Sequence, residues 1–160
     1  MGLYSNPGSY PFPIIDKLCY NRTGAAVATG QIVQLDLSGS AQSETTGNPL
    51  NENDTANEFA SVCAVTTAGL GTILGVVLAD SDAAADNALI KVRFSGPVQA
   101  LLDGTTDVVR GDALVGVNAA TNLAKAGAGA AACAISLVDY TTNSAALKNV
   151  IMLGPSRQIA

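Results

Sequence analysis

The sequence predicts an all-β fold: a small β-barrel or sandwich, a jelly-roll-like meander, with an extended N-terminal arm. Three observations predict it. Residues 89–94 alternate, with Ile90, Val92 and Phe94 on one side and Lys91 and Arg93 on the other. A period of two marks a half-buried strand. Short apolar runs rich in β-branched residues recur along the chain, separated by Gly, Pro, Ser, Asn and Asp, the pattern of many short strands joined by turns. Finally, residues 1–18 hold Pro7, Pro11 and Pro13, half of the six prolines, together with Tyr4, Tyr10 and Phe12. Proline cannot sit in a helix interior or a central ladder position, so this segment is extended.

The chain divides into an arm, residues 1–18, and a single β domain, residues 19–160. An ordered aromatic arm loses entropy for nothing unless its rings find a surface. Tyr4, Tyr10, Phe12, Ile14 and Ile15 are therefore the expected contact residues, on a neighbouring subunit, on a partner protein, or along the arm's own barrel. Leu18 to Asn21 reads as a first strand, Thr23 to Gly30 follows, and Gln31 to Leu37 alternates behind the turn residue Gly30. Residues 38–58 are polar and small, with almost no apolar anchor. A loop of this length is expected to be an exposed excursion. Phe59 to Thr66 returns to strand pattern.

Residues 72–117 organise the rest: strand at Ile73 to Leu78, loop, strand at Leu89 to Phe94, tight turn at Ser95-Gly96-Pro97, strand from Val98 to Leu102, then Val108-Val109 and a second turn into Ala113 to Val117. Residues 80–87 suggest one helical turn capped by Asp80 or Ser81. Leu123 to Ala126, Ala131 to Tyr140 and Leu147 to Leu153 complete the strands, and Gly154-Pro155 stops the last one. No fixed repeat, as a solenoid needs, is legible.

Composition excludes several functions. The chain has 160 residues, enough for one domain with a core. Charged residues make up 13%, about half of the usual roughly 25%, so much of the surface is expected to be covered by other subunits. The net charge of −5 and the scattered Lys and Arg argue against nucleic-acid binding. No run is long enough to span a bilayer as a helix, and no basic amphipathic helix suits a membrane surface. Cys19, Cys63 and Cys133 lie far apart, which fits buried reduced thiols better than a disulfide framework or zinc site. The chain has no His, which removes the usual general base and the nucleophile–His arrangements. Carboxylate pairs remain, Asp103 with Asp107 or Asp80 with Asp82, but they sit in turns where solvated acids are ordinary. An EF-hand starting at Asp80 would need Gly at position six and Glu at twelve; the chain has Ala85 and Lys91. Arg110-Gly111-Asp112 spells an integrin-binding tripeptide, yet Gly111 is explained more simply as a turn residue. No phosphate loop is present. The expectation is a protein without enzymatic activity, cofactor or metal.

Four segments, in order, carry a family likeness: Gly24 to Val33 (GAAVATGQIV), Ile73 to Leu78 (ILGVVL), Ile90 to Val98 (IKVRFSGPV) and Val109 to Leu114 (VRGDAL). Together they resemble the small capsid decoration, or cement, proteins of tailed bacteriophages over roughly residues 23–118. The resemblance implies a barrel or sandwich that trimerises on the outer capsid surface, clamps neighbouring major capsid proteins and stabilises the head. It implies a virion location after synthesis in the bacterial host cytoplasm, with the major capsid protein and further copies of the chain as partners. An arm adding a strand to a capsid subunit is a known recognition mode. Competing readings are another virion component, such as a tail or fibre-base subunit, and a carbohydrate-binding module. The latter is disfavoured by the absence of Trp and the crowding of aromatics near the N-terminus.

Overall fold

The computed structural model describes residues 13–36, 60–65, 73–78, 85–86, 88–141 and 144–154. Among these there is no helix and there are nine strands: β1 (Ile15–Asn21), β2 (Ile32–Leu35), β3 (Ala60–Cys63), β4 (Leu74–Val77), β5 (Leu89–Leu102), β6 (Ala113–Gly116), β7 (Leu123–Lys125), β8 (Ala134–Ser136) and β9 (Ala146–Leu153). The all-β expectation holds. The 38–58 excursion and the helical turn at Asp80 or Ser81 fall outside the described residues.

The strands close two rings that share β5. The first runs β1-β3-β2-β4-β5 and closes through β1–β5; the second runs β5-β7-β6-β8-β9 and closes through β5–β9. Closure removes exposed sheet edges. Six residues in the first half of β5 pair with β1, from Tyr20↔Leu89 to Asp16↔Arg93 and, past a register shift, Ile15↔Ser95, and Ser95 pairs on both sides. The remainder of β5 pairs with β9, from Ser95↔Leu153 to Leu102↔Ala146. Residues 95–97 are therefore not the tight turn that Ser-Gly-Pro suggests. They bend one continuous strand as it passes from one barrel to the other. Gly96 supplies the bend with φ +99°, a region open to glycine and costly for other residues. Among the described residues Pro97 pairs with Ile151 of β9 alone, where its missing amide hydrogen breaks no second ladder.

The second ring repeats the first in order and direction. In each, the first strand runs parallel to the third (β1–β3, β5–β7), and every other pairing is antiparallel. The details repeat as well. Ahead of β2, Ala28 N–H donates to Gln31 Oε1 at 2.7 Å and Gln31 N–H to Ala28 C=O at 3.1 Å. Ahead of β6, Val109 N–H donates to Asp112 Oδ2 at 2.8 Å and Asp112 N–H to Val109 C=O at 3.0 Å. The intervening Gly30 and Gly111 have φ +82° and +92°. Their amides donate to Val77 C=O and Ser136 C=O, the last residues of β4 and β8. The repeat is thus structural, and the turn at Arg110-Gly111-Asp112 is one of its elements.

Each barrel has its own core. Cys19, Val27, Val33, Val62, Val77, Ile90, Val92 and Phe94 fill the first. Leu102, Leu114, Leu123, Ala134, Val150 and Met152 lie in the second, joined by Ile32, Val65, Leu74 and Val76. Those last four come from β2, from β4 and, for Val65, from just past β3, so the outer wall of the first barrel there is buried against its neighbour. This explains why β2 and β4 are apolar on consecutive residues (Ile32-Val33, Val76-Val77), all fully buried. Strands covered on both faces lose the alternation of half-buried ones. Each such side chain contributes about 1.5–3 kcal/mol relative to exposure.

Other segments differ from the sequence reading. β1 begins at Ile15 rather than Leu18, so the last part of the arm is already paired with β5. Residues 23–30 hold one bridge residue, Val27, rather than a strand. Of residues 131–140 only Ala134–Ser136 form a strand, and Tyr140 makes an isolated bridge to Val108.

Candidate interaction surface

The described root of the arm lies along β1 and the first half of β5. Ile14 is 51% exposed. It lies over the Gly96 bend, where an added Cβ would stand 3.0 Å from Ile14 Cγ1. Ile15 packs against the first core and pairs with Ser95. These two expected contact residues are therefore adjacent in sequence and distinct in role: Ile14 faces outward, Ile15 fixes the strand. Tyr4, Tyr10 and Phe12 lie outside the described residues.

On the outer face the cross-strand pairs are Asp16↔Arg93, Leu18↔Lys91 and Tyr20↔Leu89. Asp16 receives a two-pronged contact, from Arg93 Nε to Oδ1 at 2.7 Å and from Arg93 Nη2 to Oδ2 at 2.9 Å. Arg93 Nη1 also donates to Pro97 C=O at 2.7 Å. One guanidinium thus ties β1 to the bend of β5, with the planar fork that arginine presents to carboxylates. Chiefly this hydrogen bond, with help from the charges of Arg93 and Lys91 and against a smaller opposing effect of burial, holds the Asp16 carboxyl below its ordinary pKa. Sequence reading placed Arg93 outward but missed its partner, because residues 16 and 93 are brought together only by the β1–β5 register.

Leu18 and Leu89 complete this face, 46% and 45% exposed. Beyond Leu18, β1 is paired with β3 only through Cys19, Tyr20 and Asn21. Residues 15–18 therefore have a strand neighbour only on the β5 side among the described pairings. The result is an outer strip in which the exposed Leu18 and Leu89 stand beside Lys91 and the Asp16–Arg93 ion pair, at the point where the arm joins the barrel.

The chemistry-bearing residues noted in the sequence are not assembled into a site. Asp103 accepts from Thr105 N–H at 3.1 Å and Thr105 Oγ at 2.7 Å, an Asx turn at the end of β5. Asp107 is exposed. Asp112 pairs with Lys125 at 2.7 Å, so the tripeptide's carboxylate is held on its own barrel. Asp86 accepts from Gly24 N–H, and Asp80 and Asp82 lie outside the described residues. Among the described residues no three His, Cys, Asp or Glu stand close enough to hold a metal ion, and no helix is long and apolar enough to cross a membrane. An open cleft of about 390 Å³ lies beside Pro97, Gln99, Val138 and Asn149, without a titratable group in its lining. Cys19 and Cys133 are buried and Cys63 half-buried; burial pushes the Cys19 and Cys133 thiols up to about 12. What the described surface offers is apolar contact area and strand backbone. Compared with known proteins, the chain matches no protein-family model and no curated protein.

Proposed function

We propose that this chain is a structural virion protein, a capsid decoration or cement protein that binds the outer surface of the major capsid protein shell as a trimer and stabilises the head. The observation that carries the proposal is the arm root. A Pro- and aromatic-rich segment leads into β1, and Ile14 and Leu18 stand exposed beside a stretch of strand that, among the described residues, pairs on the β5 side alone. Such a root can pass an extended arm onto a neighbouring protein, where backbone pairing supplies affinity and side-chain pockets supply selectivity. The low charge, the absence of His and the resemblance of residues 23–118 to decoration proteins support the same reading.

The test is a chain beginning at Pro13, compared with the full chain for binding to expanded empty heads. Ile15 must be kept, because it packs into the first core. The shortened chain is expected to keep its β-type circular dichroism and lose head binding. Undiminished binding without the arm would refute the arm's role.

A further inference from the structure

The two barrels stack within one chain, and the repeat shows which parts of that stack are left uncovered. The first barrel presents its Ala28–Gln31 turn and the outer wall of β2 and β4 to the second. Gly30 C=O accepts from Leu101 N–H at 2.8 Å, and Ile32 N–H donates to Thr121 C=O at 2.8 Å. Leu147 lies over Gly30 so closely that a Cβ there would overlap its Cδ2. The second barrel thus receives the first through Leu147 and the β5 edge beside it.

Both halves of this contact have repeat equivalents. The Gly30 turn corresponds to the Gly111 turn, where an added Cβ would meet nothing within 4 Å and Val109 is 50% exposed. The cross-strand row Ile32↔Val76↔Arg93↔Asp16 corresponds to Ala113↔Ile135↔Ile151↔Pro97. Ile32 and Val76 are fully buried by the second barrel, whereas Ala113 is exposed and Ile135 and Ile151 are half-buried. On the receiving side, the pair Leu101↔Leu147 corresponds to Tyr20↔Leu89. The five large apolar residues that stand exposed among those described are Ile14, Leu18, Leu89, Val109 and Leu147. Leu89 and Leu147 are the receiving residues of the two barrels, Ile14 and Leu18 belong to the arm root, and Val109 corresponds to Ala28, which stays exposed within the chain's own stack.

We infer that copies of this chain associate head to tail. The Gly111 turn and the Ala113–Ile135 face of one copy seat on Leu89 and Leu18 of the next, as the Gly30 turn and the Ile32–Val76 face of the first barrel seat on the second within the chain. In the first barrel the backbone beside Tyr20 is already paired with β3. The contact between copies is therefore carried by side chains, and is weaker than the stack inside the chain. A contact between two different patches is heterologous and generates a ring or an open chain of copies. The inference rests on the repeat geometry and does not depend on the capsid reading.

The test uses the full chain and two variants, Ala113→Asp and Leu89→Asp, both at exposed positions where the fold should tolerate the change; circular dichroism checks that it does. Light scattering is expected to give the wild type a mass above the monomer's 16.0 kDa. Each variant alone should be monomeric, with association weakened at least about tenfold by a charge in the contact. An equimolar mixture should form a dimer, because the intact Ala113 face of one variant meets the intact Leu89 face of the other. A monomeric wild type up to about 100 µM, well above the micromolar range of ordinary weak complexes, would overturn the inference. So would variants that keep the wild-type mass, or a mixture that stays monomeric.

Discussion

Substituting Ala at Gly30 and, separately, at Gly111 measures the stack between the barrels against an internal control. Both glycines occupy the same turn of the repeat with similar positive φ, +82° and +92°. An L-residue in that region costs about 1–2 kcal/mol, so this part of the penalty is shared. The surroundings differ: a Cβ at Gly30 overlaps Leu147, whereas one at Gly111 meets nothing within 4 Å. The overlapping atom is the end of a half-exposed side chain, which can turn aside at a further ~0.5–1.5 kcal/mol. Gly111→Ala should therefore lose about 1–2 kcal/mol and Gly30→Ala about 1.5–3.5 kcal/mol. Leu147 is 44% exposed, so Leu147→Ala alone should cost about 1 kcal/mol. Combined with Gly30→Ala it should recover most of the overlap, a coupling of about 0.5–1.5 kcal/mol. The assay is urea unfolding followed by far-ultraviolet circular dichroism, since the chain has no Trp. Equal losses at the two glycines, or purely additive effects of Gly30→Ala and Leu147→Ala, would refute the stacking of the first turn on Leu147.

Other outcomes follow from single contacts. Asp16→Asn should lower stability near neutral pH by about 1–3 kcal/mol, the range for hydrogen bonds to charged groups. Because Arg93 lowers the folded pKa of Asp16 from its ordinary 3.8, the pair stabilises fully above that value, and its contribution is lost as pH falls through the lowered one. Urea titrations between about pH 5 and pH 2 should show a shallower fall for Asp16→Asn than for the wild type; parallel curves would contradict the pairing. In the native protein a thiol reagent should reach Cys63 well before Cys19 and Cys133, whose thiols are buried and raised to about 12. Simultaneous labelling of all three would contradict the two cores.

The all-β class was legible because turns and β-branched runs are local signals. The outward Lys91 and Arg93 were read correctly for the same reason: period two is a property of the strand itself. Burial of both faces of β2 was not legible, since Ile32 is covered by a barrel formed some 70 residues or more downstream. The continuity of β5 was hidden by Ser95-Gly96-Pro97. Those residues mark a change of direction, but whether the chain reverses or only bends depends on whether β9 is there to pair with it. The repeat escaped notice because the barrels share few identities: a Val followed three residues later by a left-handed Gly, and a Gly-Pro at residues 96–97 and 154–155. Core positions exchange Val, Ile, Leu and Met freely, which volume-tolerant packing allows. Within the candidate surface, composition pointed to Ile14 and Ile15. Leu18, Leu89 and the Asp16–Arg93 pair emerge only from the β1–β5 register.

The most direct measurement is cosedimentation of the full chain with expanded empty phage heads, together with the temperature at which those heads rupture. A decoration protein is expected to bind to a saturating number of copies per head and to raise the rupture temperature. Failure to sediment with heads at any concentration, or saturable binding without a change in rupture temperature, would contradict a head-stabilising function.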